Sequence, residues 1–134
     1  SRLIYDFGLN LGLAFQLQDD YLDAFGDPKT FGKQVGGDII ENKKTYLYLK
    51  ALEFSNPDEK ELLTQLFSVQ LEDNKAKIEA VKQIFNSTGA ADATQKAIEE
   101  FTLKAFETLE KIEISKDKKA ILKDFGENLM RRNV

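Results

Sequence analysis

Apolar residues recur at three- and four-residue spacing along almost the whole chain, and no run alternates with the period of two that marks a strand. Leu3 to about Phe25 reads as one long helix. A second runs from about Asn42 to Phe54. Asn56-Pro57-Asp58-Glu59 is a strong helix start: Asn as N-cap, Pro at the first helical position, Glu placed for a capping box. That helix carries Leu62, Leu63, Leu66 and Phe67 and should end near Val69. Ile78, Val81, Ile84 and Phe85 predict another from about Asp73 to Asn86, stopped at Ser87-Thr88-Gly89. A stripe from Ala97 and Ile98 through Phe101, Ala105, Leu109 and Ile112 predicts a helix over about Ala91 to Lys111. Ser115 is placed to cap a last helix on Ile121, Leu122, Phe125 and Leu129. The expectation is an all-α bundle of about six helices, with the charges of the later helices on solvated faces.

Two segments break this regularity. From Leu3 to Gln18 apolar residues surround the whole circumference, and Asp6 is the only charge. Gly8 and Gly12 fall four apart on one face, where a second helix could approach. A helix apolar all round has to be enclosed on every side. Gly26 to Asp38, holding Gly26, Pro28, Gly32, Gly36 and Gly37, reads as a loop.

Composition narrows the chemistry. The 134 residues include 42% apolar and 31% charged. Those proportions suit a globular chain. With 19 basic and 23 acidic residues the net charge is −4, unlike a nucleic-acid binder. Cys and His are both zero, which removes disulfides, thiolate or imidazole metal sites, and Ser-His-Asp catalysis. Carboxylates, lysines, arginines, amides and a bound ion remain.

The apolar helix ends in Gln16-Leu17-Gln18-Asp19-Asp20-Tyr21-Leu22-Asp23. Asp19 and Asp23, one turn apart, project from one face, and Asp20 sits about 100° round. Like charges at that spacing cost helix stability, and anions near a helix C-terminus cost more. A compensating cation is called for. Oxygen ligands suit Mg²⁺, which takes one or two carboxylates and shares its other positions with waters and phosphates. Lys33 and Lys43 flank the following glycine-rich segment as point-charge phosphate binders. An anion site and a Mg²⁺ site can therefore lie side by side. Phe7, Leu11 and Phe15 are candidates either for an apolar wall behind the acids or for plain core.

The ordered block Phe15-Gln16-Leu17-Gln18-Asp19-Asp20-Tyr21-Leu22-Asp23, Gly26-Asp27-Pro28, Gly32-Lys33, Gly36-Gly37-Asp38 and Asn42-Lys43-Lys44-Thr45 resembles the second aspartate-rich region of the trans-isoprenyl diphosphate synthases, or polyprenyl synthetases. The resemblance implies an isoprenoid-synthase-type all-α fold. It implies a prenyltransferase that joins isopentenyl diphosphate head-to-tail to an allylic diphosphate by Mg²⁺-assisted ionisation. Carried over, Asp19 would be the main Mg²⁺ ligand, and Asp20 and Asp23 would position its waters. Gln16 would face the diphosphate or the developing cation. Lys33 and Lys43 would hold the leaving diphosphate, with Asp38 orienting them, and Arg131 and Arg132 would resemble a basic tail over the second diphosphate. No first aspartate-rich motif precedes this block. Residues 1–134 are thus expected to be a single all-α segment, the C-terminal part of a larger polyprenyl synthetase domain. Alone it is expected to be inactive, prone to self-association or homodimerisation, cytoplasmic, and without a membrane span. The alternatives are a terpene cyclase-like or squalene-synthase-like enzyme, and a non-catalytic helical subunit of the same scaffold.

Overall fold

Helix starts in this chain are set by capping side chains, and the computed structural model, which describes residues 2–31, 35–70 and 72–131, places them accordingly. The described residues form α1 (Arg2–Phe25), α2 (Pro28–Phe31), α3 (Gly37–Ile40), α4 (Tyr46–Phe54), α5 (Pro57–Leu66), α6 (Asn74–Ser87), α7 (Ala90–Glu110) and α8 (Lys116–Met130), with no strand among them. The six longer helices correspond to the six expected. The two single-turn helices α2 and α3 fall where a loop was expected.

Asn56 caps α5 in a complete capping box. Its side chain accepts from Glu59 N–H at 2.7 Å, and its own N–H donates to the Glu59 carboxylate at 3.0 Å. Asp73 and Ser115 likewise cap α6 and α8 through their side chains. Thr45, not Asn42, starts α4. The Thr45 hydroxyl accepts from Tyr48 N–H, and Asn42 takes a left-handed backbone conformation instead. Among the described residues no helix is long and apolar enough to cross a membrane.

The chain divides into two compact units; α1 and α7 each contribute residues to both. One unit spans Asp19–Gln95. In it α6 packs against α3, α4 and α5. Leu47, Ala51, Leu63, Val81 and Phe85 form its sealed centre, and Tyr48 lies against Phe67 with ring centroids 4.3 Å apart. Each large apolar side chain so enclosed stabilises the fold by about 1.5–3 kcal/mol.

The other unit combines Ser1–Gln18 with Lys96–Arg132. Its core joins Phe7 and Leu11 of α1 to Ala105 and Leu109 of α7 and to Ile112, with Leu122 and Leu129 of α8 against them. Phe7 and Leu11 are therefore core residues rather than part of a cavity wall. Only one side of this stretch of α1 is buried. Tyr5, Leu9 and Leu13 are exposed, and a Cβ added at Gly8 or Gly12 would meet nothing within 4 Å.

Candidate functional site: an acid–lysine cluster at the end of the first helix

The carboxylates lie in the unit of Asp19–Gln95, and two tight backbone turns bring their partners to them. Gly26 N–H closes α1 on Leu22 C=O at 2.7 Å. A Cβ at Gly26 would stand 2.6 Å from that same carbonyl oxygen, so only glycine fits. The chain returns at Gly36, whose φ of 90° is left-handed and whose N–H donates to Asp23 C=O. There too a side chain is excluded, because a Cβ would press on Ile78 at 2.5 Å. The Asp23 carboxylate accepts from Asp38 N–H at 2.8 Å. Asp23 thus anchors the start of α3 to the end of α1.

Beyond α3, Asn42 is left-handed with φ 59°, and Lys43 N–H donates to Asp38 C=O at 2.8 Å. This turn aims the Lys43 side chain back at α1. Its Nζ lies 3.5 Å from Asp20 Oδ1 and 3.9 Å from Asp38 Oδ1. Asp20 is nearly buried, its side chain 11% exposed, while that of Lys43 is 55% exposed. The ammonium therefore has a carboxylate pair behind it and solvent in front.

Electrostatics follow from this placement. Burial raises the Asp20 pKa above the ordinary carboxylate value of 3.8, and the neighbouring Lys43 opposes that rise. Burial also raises that of Asp23; the Asp38 N–H opposes it, and the charges of Asp38, Asp19 and Asp20 add to it. Asp20 and Asp38 hold Lys43 above the usual lysine value of 10.5. The acids outweigh the one ammonium they surround.

Asp19 is half-buried on the same stretch of α1. Among the described residues no three carboxylates converge closely enough to hold a metal by themselves. Asp20 faces Lys43 and Asp23 the α3 backbone, so the acids do not form a closed ligand cage. The donor set nevertheless fits Mg²⁺. It is all oxygen, it is anionic, and the charges of Asp19 and Asp20 raise the pKa of Asp23. This ion needs only one or two protein carboxylates.

Gln16 and Arg131, two of the remaining expected residues, belong to the other unit. Gln16 is exposed on α1. Arg131 is exposed and donates to Asn128 Oδ1 at 3.2 Å. Lys33 and Arg132 lie outside the described residues. Two polar groups escape a reading by sequence. Gln18 donates from Nε2 to Met130 C=O at 2.9 Å, and its buried Oε1 has no hydrogen-bond partner among the described residues. Lys77 would belong to a solvated helix face, yet it is 1% exposed. Its ammonium donates to Asn42 Oδ1 and, at 3.1 Å, to Val69 C=O. Those partners are far away in sequence, which is why helical periodicity gives no sign of them.

The described residues thus form an all-α fold carrying an acid–lysine cluster on glycine-cut turns. Comparison with known proteins narrows it. Residues 1–86 match the family described as Polyprenyl synthetase, and the chain belongs to that family. It is 37% identical over 116 residues to the short chain isoprenyl diphosphate synthase of Methanothermobacter thermautotrophicus, covering 87% of this chain and 35% of that protein. A crystal structure of geranylgeranyl pyrophosphate synthase superposes with a TM-score of 0.87 at 51% identity, over 99% of this chain and 42% of the other. A polyprenyl synthase from Caulobacter crescentus, crystallised with calcium and isoprenyl diphosphate, superposes with a TM-score of 0.80 at 33% identity, over 98% of this chain and 40% of the other. The chain thus spans well under half the length of these relatives.

Proposed function

We propose that this chain supplies the diphosphate-ionising side of an isoprenyl diphosphate synthase, which condenses isopentenyl diphosphate head-to-tail with an allylic diphosphate. The observation that carries this reading is the Lys43 ammonium held between Asp20 and Asp38 and open to solvent. Support comes from family membership and from the isoprenyl diphosphate with which the Caulobacter relative is complexed.

In the reaction the allylic C–O bond breaks and diphosphate leaves with the electron pair. The isopentenyl double bond attacks the cation, and the product cation loses a proton. Charge must be met on the departing oxygens, and fixed cations do so without moving at the moment of reaction. Lys43 binds a diphosphate oxygen; Asp20 and Asp38 fix its direction. Asp23 keeps α3, and so Asp38, in place. Asp19 would be the main Mg²⁺ ligand, with Asp20 and Asp23 positioned to help hold the ion through its waters. Bound Mg²⁺ supplies Lewis-acid neutralisation of the diphosphate. Gln16, one turn before Asp19 in α1, faces the diphosphate or the cation, and Lys33, Arg131 and Arg132 add cationic charge over the diphosphates.

The 134-residue chain is proposed to bind Mg²⁺–diphosphate without turning it over, and to self-associate through the open Tyr5, Leu9 and Leu13 face of α1. Calorimetry with MgCl₂ and inorganic pyrophosphate tests the binding. Lys43→Ala is expected to weaken it about 10- to 100-fold, the worth of one hydrogen bond to a charged group. Unchanged affinity in Lys43→Ala would overturn the assignment.

A further inference from the structure

Lys77 is an uneconomical residue where it stands. Its ammonium is withdrawn from water in α6, one turn before the core residue Val81. Burying a cation is costly, and a helix N-terminal turn repels one further. Burial accordingly lowers the pKa of Lys77 below the usual lysine value. An apolar side chain of similar length would fill the space without either cost. What the ammonium does that an alkyl chain cannot is bind two oxygens: Asn42 Oδ1, between α3 and α4, and Val69 C=O, between α5 and α6.

Asn42 is the described non-glycine residue with a left-handed backbone. That conformation costs free energy for any residue with a Cβ. Asn bears that cost better than most residues, and the Asn42 N–H bond to Ile39 C=O and the Lys43 N–H bond to Asp38 C=O close the turn locally; Lys77 adds a hold from outside it. The next residue is Lys43, whose direction toward Asp20 and Asp38 depends on that turn. We infer that Lys77 is a positioning residue for the anion site. By gripping the Asn42 amide oxygen from inside the core, it fixes the left-handed turn that aims Lys43. The inference rests on the proposed function only for what Lys43 is used for.

The test uses the whole chain and the variants Lys77→Met, Asn42→Gly and the double variant. Lys43 N–H is bonded to Asp38 C=O, so its hydrogen exchange reports the turn directly. The amides of Val81, Ile84 and Phe85 report whether α6 is intact. Lys77→Met is expected to speed exchange at Lys43 about 10-fold or more with α6 protection unchanged, a local opening rather than global unfolding. It is also expected to weaken Mg²⁺–pyrophosphate binding about 10-fold. Adding Asn42→Gly should recover most of that affinity, because glycine adopts the left-handed turn unaided. A lysine that merely packed α6 would show no such rescue. Unchanged Lys43 exchange in a folded Lys77→Met protein, or no recovery in the double variant, overturns the inference. If the wild-type chain does not bind pyrophosphate, the proposed function fails while the exchange measurement still decides the role of Lys77. If Lys77→Met does not fold, Asn42→Asp and Asn42→Ala replace it. Asp keeps the acceptor and should preserve Lys43 protection, whereas Ala should lose it; equal protection in both overturns the inference.

Discussion

The unit of Asp19–Gln95 is the one that buries charge, whereas the unit that holds the start of α1 with α8 exposes more of its large apolar side chains. The first buries Asp20, Thr45 and Lys77 around a sealed core. The second leaves Ile4, Tyr5, Leu9, Leu13, Leu103, Ile121 and Phe125 in water. Both are departures from ordinary burial, and each kind carries its own meaning. Buried charge is tolerated where folding supplies it with partners, as it does Asp20 with Lys43 and Lys77 with Asn42 and Val69. Exposed apolar surface marks a face suited to another surface rather than to chemistry.

The contrast is sharpest in the core. Leu63 is fully enclosed. Leu63→Ala should cost about 2–5 kcal/mol in urea unfolding, through lost transfer free energy and a cavity. Leu9 is 48% exposed. Leu9→Ala should therefore change stability by no more than about 0.5 kcal/mol. A large cost at Leu9 would break the comparison by showing that its face is covered in solution. Protein-concentration dependence of the midpoint would then be expected.

One substitution of opposite sign in the two units comes next. Gly36→Ala forces a left-handed alanine against Ile78. It should lower stability by about 1–3 kcal/mol. Gly12 is mid-helix and faces open space. Gly12→Ala should raise stability by about 0.5–1 kcal/mol. Thermal melts of the two variants check both signs.

The smallest expected effect is electrostatic. The folded-state pKa values of Asp20 and Asp23 are raised by burial, so the folded chain holds these protons more tightly than the unfolded one. Their contribution to stability therefore falls as pH rises through the raised values. It is regained on acidification toward the ordinary 3.8 and is constant below that. Asp20→Asn removes one buried charge and should stabilise the chain near pH 7 by about 0.5–2 kcal/mol while flattening this pH dependence. It should also weaken Mg²⁺–pyrophosphate binding, because Lys43 loses its nearer carboxylate. Urea midpoints from pH 4 to 7 provide the check. An unchanged profile would mean that Asp20 is no less hydrated than a surface carboxylate.

The chain's local grammar was legible. Asn56, Asp73 and Ser115 stand at the starts of α5, α6 and α8 because capping is satisfied within four residues. The acids and Lys43 stood out as an unusual charge cluster because three carboxylates after an apolar helix have no packing reason to be there, and the structure sets Lys43 beside Asp20 and Asp38. The short helices α2 and α3 were not, since a single turn leaves no hydrophobic period. Asn42 read as helical because nothing nearby shows that its side chain is taken by Lys77. Lys77 itself read as a surface charge, for its partners lie 35 and 8 residues away.

The amino-acid sequence thus determined the six longer helices, the starts of α5, α6 and α8, the acidic end of α1 and the family, all properties of residues near one another along the chain. Tertiary structure alone decided which of those charges face inward. It tied the Asp23 carboxylate to the start of α3, set Lys43 against Asp20, and placed an ammonium under Asn42. The reason is physical: the cost of burying a charge is offset only by partners that folding brings from elsewhere in the chain.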